Sequence, residues 1–312
     1  MQKILGNIKS YLEKFKEIYG VETVILTQKD GFPISIVGVW LSEEEVFGVC
    51  SSSSAIYAAA QQLSGGQLNY LFIEGTRVNM MISPLQDLRE FCCTIVTKPK
   101  VNLGAIFLRI REDFFNLRNI LLKLSDIKPP LRNFTEKEIR SILRTFSVRP
   151  GEEDFNKIRH EMFELSDGLF EKIRNKLREL LTLIQDIEMI SLIYEGGYSL
   201  LTLSRTAEFC ETSGEDVLAY SLVDTAARLM WITKKTMVKQ ITCDCNRFMY
   251  FIYDLEGCVL VIKLVKRKAK LGFLRLVINS YIDKVKATLL EGKVKTAILP
   301  KISSIEKLQL AL

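Results

Sequence analysis

The sequence predicts an α+β protein made of one unit used twice, with an antiparallel sheet in each copy. Three observations carry this. The chain repeats itself: Ile4, Leu5, Ile8, Leu12 and Phe15 lie at helical spacing, and Leu169, Phe170, Ile173, Leu177 and Leu180 repeat that spacing 165 residues later. The run Val21-Glu22-Thr23-Val24-Ile25-Leu26 is matched by Ile187-Glu188-Met189-Ile190-Ser191-Leu192 at an offset of 166, while Ala58-Ala59 matches Ala226-Ala227 and Leu103-Gly104 matches Leu271-Gly272 at 168. An offset that drifts so little confines insertions to loops. Finally, each copy places three strands rich in Val, Ile, Tyr and Phe in succession, joined by turns such as Glu74-Gly75-Thr76 and Leu255-Glu256-Gly257. Connections that short make antiparallel neighbours.

Copy one (1–125) is expected to run helix 3–19, strands 21–28 and 32–39, helix 43–63, strands 67–74, 77–83 and 90–98, and helix 103–124. The first helix follows from its apolar stripe. The first two strands meet at Lys29-Asp30-Gly31-Phe32, and Glu195-Gly196-Gly197-Tyr198 is the same turn in copy two, where a hairpin needs positive φ. The second helix is built of small residues and stops at Gly65-Gly66. Copy two (168–291) repeats the order: helix 168–185, strands 187–194 and 198–204, helix 214–234, strands 237–243, 247–254 and 258–265, helix 271–290.

Between them lies a charged helical linker, 126–167. After Lys128-Pro129-Pro130, Thr135 and Glu138 form a capping box and Phe134 with Ile139 a staple, and Ile139, Ile142, Leu143 and Phe146 make an apolar stripe. Arg149-Pro150-Gly151 breaks it, and a second helix carries Phe155, Ile158 and Met162. Such stripes bury against something, so the linker is expected to pack on a copy. The tail, 292–312, holds a short helix after Pro300, with Ser303-Ser304-Ile305-Glu306 at its start and Ile305, Leu308 and Leu312 on one face.

Composition removes several function classes. Of 312 residues, 48% are hydrophobic and 26% charged, with 7 Pro and 17 Gly, which excludes a disordered or collagen-like chain. A net charge of +6 is too mild to demand nucleic acid. A single histidine, His160 on the linker between Arg159 and Glu161, leaves little room for zinc or for acid–base triads, and no cofactor is expected. The 7 scattered cysteines, without a C-x-x-C, fit a reducing compartment, and the charged amphipathic start is not a signal peptide, so the expected location is the cytoplasm, with or without contact to a membrane surface. The uncharged stretch 46–73 is too polar to span a membrane. Leu63-Ser64-Gly65-Gly66-Gln67 matches an ABC-type ATPase signature, but the chain has no phosphate-binding loop of the G-x-x-x-x-G-K-[ST] kind. Asn156-Lys157-Ile158-Arg159 and Asn175-Lys176-Leu177-Arg178 lack the Asp of a guanine-reading motif. Cys243-Asp244-Cys245 shows no further ligands around it and reads as structural thiols.

The order of elements resembles the roadblock / dynein light chain family. The residues that carry it are Gly20-Val21-Glu22-Thr23-Val24-Ile25-Leu26, the turn Asp30-Gly31-Phe32-Pro33-Ile34, the small-residue helix from Ser51 to Ala60, and Val101-Asn102-Leu103-Gly104 at the last helix. Copy two keeps Ile187-Glu188, Gly197 and Lys270-Leu271-Gly272 but lacks the Asp and Pro of the turn. The two copies together cover about four-fifths of the chain. The resemblance implies two tandem roadblock-type domains, each a five-stranded antiparallel sheet with the second helix on one face and the first and third on the other. Family members pair through the second helix and the third strand. Here that predicts an interface of Ser51, Ser54, Ala55, Ala58 and Ala59 with Tyr70, Leu71 and Phe72, and Ala226, Ala227, Val238 and Gln240 in copy two. The small residues allow close helix approach, and the uncharged third strand is an edge to be covered. The more polar Val238-Lys239-Gln240-Ile241 is expected to be the less adhesive edge. The alternative is that the alanines only pack on their own sheet. Pairing within one chain and pairing between chains both remain open.

Lys263, Lys266, Arg267, Lys268 and Lys270 form the densest basic run, placed in the turn between the last strand and last helix. It reads as a solvated loop, or as a contact for an acidic partner or anionic lipid headgroups. Nucleic acid is not expected, because interleaved stacking aromatics are missing. The resemblance implies a non-enzymatic regulator or scaffold of a small Ras-like GTPase that acts through paired roadblock domains, its own or another's. The rival is a nucleotide-independent assembly adaptor of the motor light-chain type that holds a partner peptide or helix.

Overall fold

A computed structural model describes residues 2–38, 41, 43–85, 88–122, 166–205, 214–255, 257–266 and 271–292. The expected linker helices, the tail helix, His160, Cys210, Arg267, Lys268 and Lys270 lie outside the described residues. The first half runs α1 (Gln2–Lys16), β1 (Val21–Gln28), β2 (Pro33–Val37), α2 (Glu43–Leu63), β3 (Leu68–Gly75), β4 (Asn79–Leu85), β5 (Leu88–Thr97) and α3 (Leu103–Leu122). The second runs α4 (Asp167–Leu183), β6 (Ile187–Tyr194), β7 (Tyr198–Ser204), α5 (Glu215–Lys234), β8 (Val238–Cys245), β9 (Phe248–Asp254), β10 (Val259–Val265) and α6 (Leu271–Glu291). The protein is α+β, and the order of elements agrees with the sequence reading. Ends differ by a few residues, as fraying termini do; α1 stops at Lys16 rather than at 19, and β5 starts at Leu88 rather than at 90.

Local chemistry explains the punctuation. Gly31 and Gly197 turn their hairpins at φ +86° and +87°. The carboxylate of Asp30 accepts a hydrogen bond from the Phe32 N–H at 3.1 Å, an Asx turn. α2 ends where Gly65 and Gly66 take positive φ and donate their N–H groups back to the carbonyls of Gln62 and Gln61 at 3.1 and 2.7 Å. α5 ends on Lys235 in the left-handed region, its N–H on the Trp231 carbonyl at 2.9 Å. Ser166 caps α4 through the Leu169 N–H, and Asn102 caps α3 through the Ala105 N–H.

The strands make one sheet of ten, in the order β2-β1-β5-β4-β3-β8-β9-β10-β6-β7. Each half contributes five antiparallel strands in the same internal order, and the two join along β3 and β8. The two faces are covered differently. On one, α2 and α5 share a single continuous core that includes Val49, Ile56, Tyr57, Leu71, Ile73, Val223, Met230, Ile241 and Tyr250. On the other, the cores are separate: Ile8, Leu12, Phe15, Phe72, Phe114 and Leu117 under α1 and α3, and Ile173, Leu177, Phe251, Ile278 and Val285 under α4 and α6.

Candidate functional site

The feature that organises the molecule is the seam between its halves. Along it Tyr70 stands opposite Asp244, Leu71 opposite Cys243, Phe72 opposite Thr242, Ile73 opposite Ile241, Glu74 opposite Gln240 and Gly75 opposite Val238. Backbone bonds extend past both strand ends, from the Asn246 N–H to the Gln67 carbonyl and from the Thr76 N–H to the Met237 carbonyl, each 3.1 Å. Leu71, Ile73, Ile241 and Cys243 are fully buried in the core under α2 and α5. Burying one such aliphatic side chain is worth about 1.5–3 kcal/mol, so the seam is held as a domain core is held. On the other face Tyr70 packs on Phe107 with ring centroids 4.9 Å apart. Burial, and then the nearby charge of Asp244, push the Tyr70 hydroxyl up to about 12.

The halves also reach across one another. The Tyr250 hydroxyl of β9 donates to the Leu63 carbonyl at the end of α2, at 3.3 Å. A Cβ on Gly75 would lie 2.4 Å from Thr236 Cγ2 and 2.6 Å from Met230 Cε, both from the second half. Val238 is buried, and so is Gln240, whose amide donates to Thr242 Oγ1 at 3.3 Å. The polar character of β8 therefore does not leave it unpaired; it is the partner of β3.

The small residues of α2 separate into three environments. Ala58 and Ala59 are half-buried, and Ala59 packs against the shared core that also contains Ala226 and Ala227. Ser54 is buried but faces its own half, where its hydroxyl donates to the Lys29 carbonyl. Ser51 and Ala55 point outward. The five residues expected to line one contact thus do not share one environment within this chain. Val49, Ile56, Tyr57 and Leu63 have more apolar surface to bury than serine or alanine, so the helix turns that side inward. Ser51 also sits at the hairpin: a Cβ on Gly31 would lie 2.9 Å from its Cα, and a Cβ on Gly197 would lie 2.8 Å from the Cα of Val217 on α5.

Among the described residues, what the packed pair of helices leaves outside is mostly uncharged. Ser51, Ala55 and Gln62 are exposed on α2; Val217, Ser221 and Arg228 are exposed on α5. Arg228 is paired on its own helix with Asp224 at 3.0 Å.

The basic run is not a single loop. Lys263 belongs to β10 and is buried, its ammonium 3.3 Å from Glu215 at the first turn of α5 and 4.7 Å from the Phe248 ring centroid. A lysine inside a sheet needs that carboxylate and ring, so it is not offered to an acidic partner or a lipid. Lys266 lies 2.6 Å from Asp244 and belongs to the seam. Asp244 also accepts from the Asn69 amide at 3.0 Å. Arg275 on α6 contacts Glu74 of the other half at 3.1 Å. Asn69, Glu215 and Arg275 were not singled out by motif or periodicity, and Glu74 and Asp244 drew notice only as part of a turn and of a Cys-Asp-Cys run, because the partners of all five lie far away in sequence.

Cys243 and Cys245 are buried free thiols. Among the described residues, no group of three or more His, Cys, Asp or Glu is placed to hold a metal ion, and no helix is long and apolar enough to cross a membrane.

No protein-family model matches the chain, and no curated protein matches it in sequence. Among solved structures it is similar to the Roadblock/LC7 domain from Streptomyces avermitilis, at 12% identity over 36% of this chain and 97% of that one, with a TM-score of 0.34. The similarity is to the roadblock fold. MglB from Myxococcus xanthus is 18% identical over 40% of this chain and 94% of its own, with a TM-score of 0.36. The gliding protein MglB from Thermus thermophilus is 15% identical over 42% and 98%, with a TM-score of 0.38.

Proposed function

We propose that this chain is a roadblock pair in a single polypeptide that regulates or holds a small Ras-like GTPase and has no catalysis of its own. The observation that carries the reading is the seam: β3 joins β8, α2 packs with α5, and of the described residues those two helices leave exposed only Arg228 is charged. Exposed side chains that are mostly uncharged suit a folded partner better than a small molecule, for which a concave apolar pocket is the usual site. The GTPase comes into the reading through the roadblock resemblance of the sequence. Binding to one nucleotide state more tightly than the other would shift the population of the partner's switch loops.

The test is a pull-down with the full chain against small GTPases loaded with GDP or with a GTP analogue. The expected result is capture that depends on the nucleotide, weakened at least about tenfold by Ala55→Glu, while stability stays within about 0.5 kcal/mol because Ala55 is exposed. Capture that ignores the nucleotide would favour the assembly-adaptor reading, and no capture in either state would sink the GTPase reading.

A further inference from the structure

The seam is laid out about a local two-fold. Phe72 faces Thr242 at its middle; Tyr70 and Gln240 stand two residues before these, and Glu74 and Asp244 two residues after. Each half thus offers one neutral side chain and one carboxylate at equivalent positions. Because side chains alternate along a strand, these residues share one face of the sheet, the face with separate cores under α3 and α6.

What covers that face breaks the symmetry. Leu103-Gly104 opens α3 as Leu271-Gly272 opens α6, so the position four residues after the leucine is Phe107 in the first half and Arg275 in the second. Phe107 stays home, against Tyr70. Arg275 crosses the seam: its Nη2 lies 3.1 Å from Glu74 Oε1 and 3.2 Å from Thr242 Oγ1, and the guanidinium carbon lies 5.7 Å from the Phe251 ring centroid. Both members are only partly exposed, at 36% for Arg275 and 31% for Glu74. Asp244, for its part, meets Asn69 of the first half and Lys266 of the second.

We propose that Arg275 sets the choice of partner at this seam. It gives the Glu74 carboxylate of the first half a cation that only the second half supplies, and so keeps two first halves from pairing with each other. In a seam between two first halves, Tyr70 of one would face Glu74 of the other, and Phe107 would stand where Arg275 stands. Each Glu74 would then be half-buried without its cation. The unpaired carboxylate costs enough to move such an equilibrium about tenfold.

The two-fold supplies a reporter. At the middle of a first-half/first-half seam, position 72 meets position 72 of the other chain, at a separation a disulfide can bridge. In the present seam position 72 faces Thr242. The experiment uses the full chain with Phe72→Cys and Cys210→Ser, oxidised mildly and run without reductant. With Arg275 in place little interchain disulfide is expected. Adding Arg275→Phe, or Arg275→Gln if the phenylalanine variant does not fold, is expected to raise it about tenfold, while Arg275→Lys holds it near the starting level. Self-association of the chains without the reporter, followed by sedimentation velocity, should move in the same order. The exchange Glu74→Arg with Arg275→Glu should restore the starting level. No rise in crosslinking on losing the charge, or no restoration by the exchange, overturns the proposal and leaves Arg275 a packing residue. No GTPase enters any arm, so this test stands apart from the functional reading.

Discussion

Gly75 shows how tightly the halves are fitted. Its absent side chain is what lets Thr236 and Met230 approach, and an added methyl would also lie 2.5 Å from the Val78 carbonyl oxygen. Gly75→Ala is expected to destabilise by about 1–3 kcal/mol, read as a lower urea midpoint with an unchanged slope. Gly31→Ala should lose a similar amount for a double reason: its φ of +86° disfavours a side chain, and the new methyl would strike the α2 backbone. The thiols make a second test at this scale. Burial pushes Cys50 up to about 11, and Cys92, Cys245 and Cys258 up to about 12, from an ordinary 9.0. Their folded values exceed their unfolded ones, so the stability they contribute is complete below about pH 9 and drains away as the pH rises through 11 and 12. With Cys210→Ser, the native protein should resist a thiol reagent at neutral pH and react only on unfolding; rapid native labelling would contradict the burial described.

At the scale of elements, β3 is the member on which the two halves depend. Leu71→Ala should cost about 2–5 kcal/mol, since Leu71 is fully buried at the seam. Leu71→Lys should go further, separating the halves and raising light scattering through the freed edges; unchanged scattering and melting would mean that β3 does not hold them. Much of the element order was legible beforehand. α1 and α4 declare themselves through apolar residues at helical spacing, and the strands through β-branched and aromatic runs closed by glycine. α2 was legible as a helix, and which of its sides packs on the sheet was not. Ser51, Ala55 and Ala58 look like a close-packing stripe, yet side-chain size decided the orientation, and Ile56 and Tyr57 went inward. Lys263 misled for another reason: its counter-charge Glu215 is 48 residues away. Glu74 and Arg275 are 201 apart, and no local pattern signals a pair of that kind.

For the whole molecule, tethering changes what pairing means. A two-chain dimer comes apart on dilution, whereas two halves of one chain see each other at a fixed effective concentration. The shared core under α2 and α5 further predicts that both halves melt in one transition; two resolved transitions in calorimetry would contradict it. The seam also frees the surface above it from symmetry. In a homodimer every substitution is made twice, and a partner lying over the axis meets two equivalent orientations. Here Ser51 and Ala55 stand on one side, Val217 and Ser221 on the other. A protein that lay across those two helices would meet left and right as different ground, and so would have one way to lie down.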